Sequence, residues 1–473
     1  MKKTLNLLAI ALFLFASQSY ANNLTISGVT LSNDSTLTFN ISWDNSWRVS
    51  VAPNNHDAVW LFVKKRDCAS NLWSHVNLSS TTSDHGTAAP LEIFIDGKDG
   101  GSVAKGLFVR RSTDGVGNIT GVSVSLRMVG LVAGQYDFQV FGIEMAQIPQ
   151  TAFQVGDGSS ASSFKAGATS SPFDVISEGA ITAGTGSTTQ LSALGLTPAS
   201  LPATYPKGFA EFYAMKYEIS QAQYVDFVNN LASDQANNRQ VTGTANRLNI
   251  TGTWPVLVAN TPHRVMNFMA WADFLAYLDW AALRPMTELE FEKISRGPAA
   301  SVAGAFAWGS SIITDANTAI NDGTSTESVS NAITAGGGIA NYNNNALLGP
   351  LRCGFAAKAG TDRFQAGASY YGIMELSGNV WEQVITTRNA NGTGFQANLG
   401  DGEISTTPVP GFADVATWPT PTANVASTTS VSGRAIRGGA WNNAPTELTT
   451  SSRSNVDNAD GRRLNVFGGR GVR

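Results

Sequence analysis

The sequence predicts an α+β fold, in which an N-terminal antiparallel β-sandwich precedes a loop-rich domain with few helices. Over residues 22–141, short runs alternate apolar and polar residues and are separated by Gly, Asn and Asp clusters, which is the pattern of half-buried strands. From residue 142 the alternation stops, and amphipathic helical patterns stand among long polar stretches. We therefore divide the chain into residues 1–21, 22–141 and 142–473.

The first 21 residues have the composition of an export signal. Lys2 and Lys3 precede an apolar run over residues 5–16, and Ser19 and Ala21 place small residues at positions −3 and −1 of a cleavage site. The run is too short to span a bilayer, and no later segment is long and apolar enough to do so. We expect an exported protein without a membrane span, which is secreted, periplasmic or on the cell surface.

Charge and cysteine content narrow the range of functions. Charged residues make up 14% of the chain, the net charge is −4 and no Lys/Arg block is present, so nucleic acid is not an expected partner. The only cysteines are Cys68 and Cys353, which lie in different predicted domains. They could form a disulfide that links the domains or remain two buried free thiols.

The N-terminal region reads as a sandwich of about seven short strands. Leu37, Phe39, Ile41 and Trp43 alternate with polar residues. Similar runs occur at residues 24–31, 59–63, 91–95, 107–109, 122–126 and 136–141. Four tryptophans in this region could line a sugar-binding face or belong to the core: Trp43, Trp47, Trp60 and Trp73.

Three helices are predicted in the C-terminal region. Ser220 and Gln223 form a capping-box pair before an apolar face over residues 221–231. A second helix spans residues 270–281, and a third begins after Thr287, whose capping partner is Glu290. The carboxylates of this third helix suit its N-terminal dipole, so we assign that segment no catalytic role.

Long loops fill the rest of the C-terminal region. Residues 157–193, 311–345 and 386–432 are rich in Gly, Ser, Thr and Asn. Loops of this length are unusual in a compact domain. Either they are disordered, or the fold holds them by another means, such as metal ions.

Seven short segments interrupt this loop-rich background. In chain order they begin at Ile143-Glu144-Met145, Lys216-Tyr217-Glu218, Trp271-Ala272-Asp273, Arg284-Pro285-Met286-Thr287-Glu288, Gly372-Ile373-Met374 (which runs on to Gly378-Asn379-Val380-Trp381-Glu382), Arg437-Gly438-Gly439-Ala440-Trp441 and Gly471-Val472-Arg473. In this order they resemble the motifs of the formylglycine-generating enzyme (sulfatase-modifying factor) family, a variant of the C-type lectin fold. The resemblance covers residues 142–473 and implies the fold more strongly than any activity.

The resemblance also implies an oxidase activity, but this chain lacks the cysteines that the activity requires. Family enzymes convert a sulfatase cysteine to formylglycine, using copper held by two cysteines that follow the Arg-Gly-Gly strand. Residues 440–473 contain no cysteine, and Asn443 stands where the first would be. An amide does not replace a thiolate as a ligand of Cu(I), so neither copper nor formylglycine generation is expected.

Calcium is the metal that the resemblance implies, because Asn-, Asp- and Glu-rich loops offer the oxygen ligands it takes. Carried over from the family, a first site would use the side chains of Glu375 and Glu382 and the carbonyls of Gly378 and Val380. A second site would use the side chains of Asn341 and Asp362 and the carbonyls of Tyr342 and Phe364. The alternative is that Glu382 is a salt-bridged carboxylate and Asn379 a turn residue.

These features favour an exported binding or structural protein on a calcium-stabilised, non-catalytic scaffold. Its partner would be an extracellular protein or glycan, bound near Trp441, Asn442, Asn443 and Arg453. A self-assembling cell-surface filament or sheath subunit is a second hypothesis, since the chain is low in charge and rich in hydroxyls. The chain could also be an enzyme of unknown chemistry, or a binder with a hypervariable, Asn-rich C-terminus.

Overall fold

A computed structural model describes residues 23–193, 196, 200–344, 346–420 and 430–473. The predicted export signal, residues 1–21, lies outside the described residues. Within the described residues, every helix is too short or too polar to cross a membrane.

The described chain is mostly β-structure with five α-helices. The strands are β1 Thr25–Asn33, β2 Thr36–Arg48, β3 Asp57–Asp67, β4 Trp73–Val76, β5 Leu78–Ser79, β6 Gly86–Thr87, β7 Leu91–Phe94, β8 Val103–Ala104, β9 Leu107–Arg111, β10 Gly115–Arg127, β11 Tyr136–Ile148, β12 Phe153–Val155, β13 Lys165–Ala166, β14 Phe173–Val175, β15 Ile181–Thr182, β16 Leu191–Ser192, β17 Ser200–Leu201, β18 Phe212–Met215, β19 Ile250–Thr251, β20 Val258–Ala259, β21 Arg284–Pro285, β22 Ile313–Asp315, β23 Ala319–Ile320, β24 Ser328–Val329, β25 Gly338–Ala340, β26 Trp381–Ile385, β27 Arg434–Arg437, β28 Phe467–Gly468 and β29 Gly471–Val472. The helices are α1 Gln221–Asn229, α2 Ser233–Arg239, α3 Trp271–Trp280, α4 Glu288–Arg296 and α5 Ala390–Thr393.

Two antiparallel sheets dominate the N-terminal region. The first has the order β1-β2-β10-β6, and the second runs β21-β29-β18-β11-β3-β9-β7 with β4 paired to β3. One apolar cluster takes residues from both sheets, including Ile41 and Trp43 from the first and Leu61 and Val140 from the second. The two sheets therefore share a core.

The alternation predicted for β2 is confirmed. Leu37, Phe39, Ile41 and Trp43 are buried, while Asn40 between them is exposed. Among the four tryptophans, Trp43 and Trp60 are buried core residues, and Trp47 and Trp73 are half-buried. Trp60 also donates a hydrogen bond from Nε1 to the Ala281 carbonyl, 2.9 Å away, so it ties the N-terminal sheets to α3.

One strand joins the two regions that the sequence separated. β11 pairs with β3 along its length and with β18 at its C-terminal end. β18 in turn pairs with β29 at the end of the chain. The division between residues 141 and 142 falls inside β11, because a single hydrogen-bonded sheet continues across it.

The three predicted helices are confirmed within two residues of their expected ends. At α1, Ser220 accepts a hydrogen bond from the Gln223 backbone, and the Gln223 side chain accepts one from the Ser220 backbone. Thr287 and Glu290 make the same reciprocal cap at α4. All ten residues of α3 are buried, and its apolar side chains belong to the largest apolar cluster of the described residues.

The long loops contain short pairs of β-strands and buried side chains that fix them to the rest of the fold. Within 157–193, β13 pairs with β16, and Phe164 and Leu191 are fully buried. Within 311–345, β22 pairs with β25 and β23 with β24. Residue 345 and residues 421–429 lie outside the described residues.

Candidate functional site

The Gly-Asn-Val-Trp-Glu segment forms a tight turn before β26. Gly378 has a φ of +89°, and a Cβ there would lie 2.5 Å from the Asn341 carbonyl oxygen, so only glycine fits. The Asn379 side chain accepts a hydrogen bond from the Leu351 backbone at 2.8 Å. The turn is therefore clamped between two neighbouring loops, which fixes the residues that follow it.

Three buried carboxylates surround one buried guanidinium beside this turn. Arg470 donates from Nε to Glu382 Oε1 at 2.6 Å, and both side chains are fully buried. Glu218 accepts hydrogen bonds from the Asn379 side chain at 2.6 Å and from the Val380 backbone at 3.2 Å. Glu375 accepts one from the Gly354 backbone at 3.0 Å. We call these four residues, Glu218, Glu375, Glu382 and Arg470, the carboxylate cluster.

The carboxylate cluster holds three carboxyl groups and one guanidinium, and burial favours the neutral form of the carboxyl groups. Burial raises the pKa of Glu375 to about 7, although Arg470 opposes the rise. Burial and the neighbouring Glu382 raise the pKa of Glu218, and burial raises that of Glu382 against the effect of Arg470. Among the described residues, Glu375 Oε2 and Glu382 Oε2 are buried without a hydrogen-bond partner. These oxygens suit a hard cation, but Glu382 already has the cation Arg470 as its partner.

Sequence reasoning did not find Glu218 and Arg470. Glu218 lies inside a segment that resembles the family, and Arg470 lies just before another, but neither stands in a local pattern that marks a buried charge. Their partners are distant in sequence, 161 residues for Glu218 and Asn379 and 88 for Arg470 and Glu382.

The four residues of the second predicted calcium site lie in two different environments. Asn341 is fully buried, and its amide donates to the Gly349 carbonyl at 2.9 Å. Asp362 is exposed and accepts a hydrogen bond from the Gln365 backbone in its own turn. Tyr342 is buried, Phe364 is 41% exposed, and the Phe364 carbonyl accepts from Gly367. Across the described chain, no group of three His, Cys, Asp or Glu side chains is placed to hold a metal ion.

The residues predicted to line a ligand groove do not share one open surface. Trp441 is buried and donates from Nε1 to the Asn465 carbonyl at 3.1 Å. Arg453 is fully buried, so it is not a groove residue. Asn442 is exposed and Asn443 half-buried, and the Asn443 side chain closes a turn by accepting from the Ala440 backbone at 2.9 Å.

Arg453 belongs instead to an ion-pair network on α4. It donates from Nε to Glu288 at 2.7 Å, and Arg437 donates to Glu292 at 2.8 Å. Arg296, at the end of the helix, donates to Ser451 at 2.6 Å. All of these side chains are buried, which supports the structural role that the sequence predicts for this helix.

An open depression of about 540 Å³ is lined by residues from 237–248 together with Phe268 and Arg463. Gln240, Phe268 and Arg463 are among the side chains that line it. Phe268 has a φ of +56°, which is a strained conformation for an aromatic residue, and its backbone donates to the Leu464 carbonyl at 3.0 Å. The segment 463–465 therefore borders the depression and also supports Trp441.

Comparison with known proteins identifies the C-terminal region. The model of the family described as the sulfatase-modifying factor enzyme 1-like domain matches residues 168–473. The chain belongs to this family. The match confirms the resemblance found in the sequence, although the opening segment at residues 143–156 lies before the matched residues.

More distant comparisons add little. No curated protein matches the chain. A solved structure, Treponema denticola variable protein 1, is 14% identical to this chain with a TM-score of 0.33. The match covers 70% of this chain and 95% of the Treponema chain. That likeness is too distant to bear on the function.

The two cysteines of the chain, Cys68 and Cys353, are not bonded to each other. Cys353 is buried, and its thiol donates to the Glu218 carbonyl at 3.3 Å. Burial raises the pKa of the Cys353 thiol, and Glu375 raises it further. Cys68 is a free, exposed residue in a turn after β3. Two thiolates that converge on one soft metal ion are therefore not present in the described arrangement.

Proposed function

We propose that this protein is an exported binding protein whose sulfatase-modifying factor domain no longer performs oxidation. The observation that carries the proposal is the role of Asn443. Its amide oxygen closes the 440–443 turn, at the position where the resemblance places the first copper-binding cysteine. The thiol of the domain, Cys353, is buried against Glu218. The scaffold is kept, and the residues for the chemistry are absent.

The proposed fold has two parts. The two N-terminal antiparallel sheets form a sandwich, and the following residues adopt the C-type-lectin-like arrangement of the family. The shared apolar cluster between the sheets supports the first part. The family match over residues 168–473 supports the second.

The proposed ligand surface comprises the exposed Asn442 and the depression lined by Gln240, Phe268 and Arg463. Support comes from the exposed amide of Asn442, the aromatic ring of Phe268 and the strain in its backbone. Amide groups beside an aromatic ring suit hydrogen bonding and stacking with an extracellular glycan or protein. Arg453, which the sequence placed in this groove, is left out because it is buried.

The proposal includes calcium at the turn before β26. Glu375 and Glu382 would hold the ion through their unpartnered oxygens, together with the carbonyls of Gly378 and Val380. Calcium, when bound, would favour the ionised form of these carboxyl groups, whose pKa values burial raises. A second ion at Asn341, Tyr342, Asp362 and Phe364 would require Asp362 to leave its own turn.

Two experiments test the proposal. The purified protein is incubated with Cu(I) and a Cys-x-Pro-x-Arg peptide, and mass spectrometry looks for conversion of the thiol to an aldehyde. Turnover above a copper-only control would overturn the non-catalytic assignment. Separately, wild-type protein and Asn442→Ala and Gln240→Ala variants are applied to glycan and extracellular-protein arrays, with exposed Asn391→Ala as the control. Identical binding profiles for all four proteins would overturn the proposed surface.

Self-assembly is a second candidate, favoured by the edge of the first sheet. β1 is an edge strand of nine residues, and it contains neither proline nor a charged residue. Such edges can pair with another chain, although the irregular register of β1 against β2 limits how flat this edge is. Negative-stain microscopy distinguishes the candidates, since uniform monomers at high concentration would exclude assembly.

A further inference from the structure

A cleft between the N-terminal sheets and the sulfatase-modifying factor domain has a volume of about 420 Å³. Its walls come from the loop after β7, from residues 203–212, from β21 and the start of α4, and from the end of the chain. This volume lies within the usual range of small-ligand sites. The cleft shares no lining residue with the depression lined by Gln240, Phe268 and Arg463, and the proposed function does not use it.

Most charged groups in the cleft are already paired. Arg284 binds Glu290 through two hydrogen bonds, of 2.6 and 2.9 Å. Arg473 binds Asp96 at 2.8 Å and Asp99 at 2.7 Å. These pairs form the fixed walls of the cleft, and none of them needs a ligand to balance its charge.

Glu178 is also satisfied. One of its oxygens accepts from the Lys207 backbone at 2.7 Å, and the other accepts from the backbones of Phe209 and Ala210 at 2.7 and 3.0 Å. Three backbone donors on one carboxylate fix it in its loop.

Lys98 and Glu211 are the two exceptions. Among the described residues, neither side chain has a hydrogen bond or an ion pair, yet each charge lies within electrostatic range of the other. Both residues are exposed at the rim of the cleft. The cleft walls partly desolvate the Lys98 amine, which with the nearby Arg284 lowers its pKa to about 8. Below that pH the amine is charged, and the carboxylates of Asp96 and Glu211 act on it from a distance without forming an ion pair.

The lining of the cleft also includes apolar residues. Phe212 and Pro206 are buried in its wall, and Ala397 and Leu399 contribute from the loop after α5. Thr204 adds a hydroxyl that has no hydrogen bond among the described residues. A cation and an anion that form no ion pair, in a cleft that also has apolar residues in its lining, match a molecule that carries both charges on an apolar body.

We propose that this cleft binds a small zwitterion, an apolar α-amino acid or dipeptide, whose carboxylate meets the Lys98 amine and whose ammonium meets Glu211. The apolar side chain of the ligand packs on Phe212 and Leu399. Each new contact is a charge-assisted hydrogen bond, which is about twice as strong as a neutral one. Recognition of both ends excludes molecules that carry only one charge.

Calorimetric titration of the full-length protein tests the ligand class. The probes are leucine and leucyl-leucine, each with an N-acetylated form that lacks the ammonium and a C-amidated form that lacks the carboxylate. We expect saturable binding of at least one free zwitterion below about 10 mM and a loss of at least about tenfold in affinity on blocking either end. Absence of binding, or equal binding of free and blocked forms, would overturn the proposal.

Three variants test the location. Lys98→Met and Glu211→Gln should each weaken binding of the same probe at least about tenfold. Lys165→Met, at an exposed lysine outside the cleft, is the matched control and should leave the affinity unchanged. Unfolding curves check that all three proteins are folded. Unchanged affinity in both cleft variants would show that the zwitterion binds elsewhere and overturn the assignment.

A charge-exchanged double variant, Lys98→Glu with Glu211→Lys, distinguishes a two-ended site from general loss of charge. A zwitterion can bind such a cleft in the reverse orientation, so the double variant should recover at least part of the affinity lost in each single variant. Affinity lower than in both single variants would contradict the two-ended arrangement.

Discussion

The Glu288 carboxylate accepts a hydrogen bond from Nε of Arg453 at 2.7 Å, and neither side chain is accessible to solvent. Burial alone would raise the pKa of Glu288, but Arg453 and Arg437 keep it below its ordinary value. The pair joins the first turn of α4 to a segment 165 residues later. Arg453 thus acts within the fold, where the sequence suggested a ligand contact.

Replacing Arg453 should therefore destabilise the protein strongly. Arg453→Met leaves the Glu288 carboxylate buried with one guanidinium fewer, and loss of a partner from a buried pair costs about 3 kcal/mol. Urea unfolding followed by tryptophan fluorescence measures the loss. Arg462→Met is the control, because Arg462 pairs with Asp460 on the surface, where a pair contributes less than about 1 kcal/mol. Equal stability of the two variants would contradict the buried role of Arg453.

Calcium should raise the melting temperature of the protein, and a chelator should lower it. A ligand that binds only the folded state stabilises it by about 2.7 kcal/mol at a hundredfold excess over Kd. Glu375→Gln should remove most of this response, since it eliminates one proposed ligand while leaving the pair of Arg470 and Glu382 intact. Differential scanning calorimetry with and without calcium gives the comparison.

A second carboxylate variant serves as the control for Glu375→Gln. Glu447→Gln changes a carboxylate that lies outside the carboxylate cluster and accepts hydrogen bonds from Asn455 and Ser454. It should retain the full calcium response. A wild-type melting curve that is the same in calcium and in chelator would refute calcium at this turn.

Without calcium, stability should fall as pH rises from about 4.5 to about 7 because of Glu375. Its pKa in the folded state is raised to about 7, above the ordinary value of 4.5, so the folded state binds the extra proton in this window. The stability is fully present below pH 4.5 and is lost as Glu375 ionises, by about 3 kcal/mol at most.

Burial raises the pKa of other acids as well, so the test compares the free energies of unfolding of two proteins. Asp226, for example, has its pKa raised to about 7 by burial. The free energy of unfolding of the wild type minus that of Glu375→Gln, measured in chelator across about pH 4 to 8, isolates the Glu375 contribution. A difference that stays constant with pH would contradict the raised pKa.

The elements that the sequence predicted well are those set by neighbouring residues. The cap of Ser220 and Gln223 and the alternation from Leu37 to Trp43 depend on spacings of two to four residues. The predicted domain boundary at residues 141 and 142 fell inside β11 for a related reason. Its residues are buried on both faces, so the strand has no alternation to show where it ends.

The ion pairs that organise the site depend on tertiary contacts. Arg470 reaches Glu382 and Arg453 reaches Glu288 only after β26, α4 and the chain end have packed together. No periodic pattern marks an arginine that will be fully buried, because arginines are most often exposed. The same holds for the unpaired Lys98 and Glu211, whose significance depends on which neighbouring charges in the cleft are already matched.

The two cysteines should differ sharply in reactivity. Cys68 is exposed, whereas Cys353 is buried, donates its thiol hydrogen to the Glu218 carbonyl and has a pKa raised by burial and by Glu375. Because the thiolate is the reactive form, a thiol reagent at about pH 8 should label Cys68 rapidly and Cys353 only after unfolding in denaturant. Cys68→Ser should abolish the rapid phase, and Cys353→Ser should leave it unchanged. Rapid labelling of two thiols in the folded wild-type protein would mean that Cys353 is accessible, and would reopen the question of a thiolate-based site in this domain.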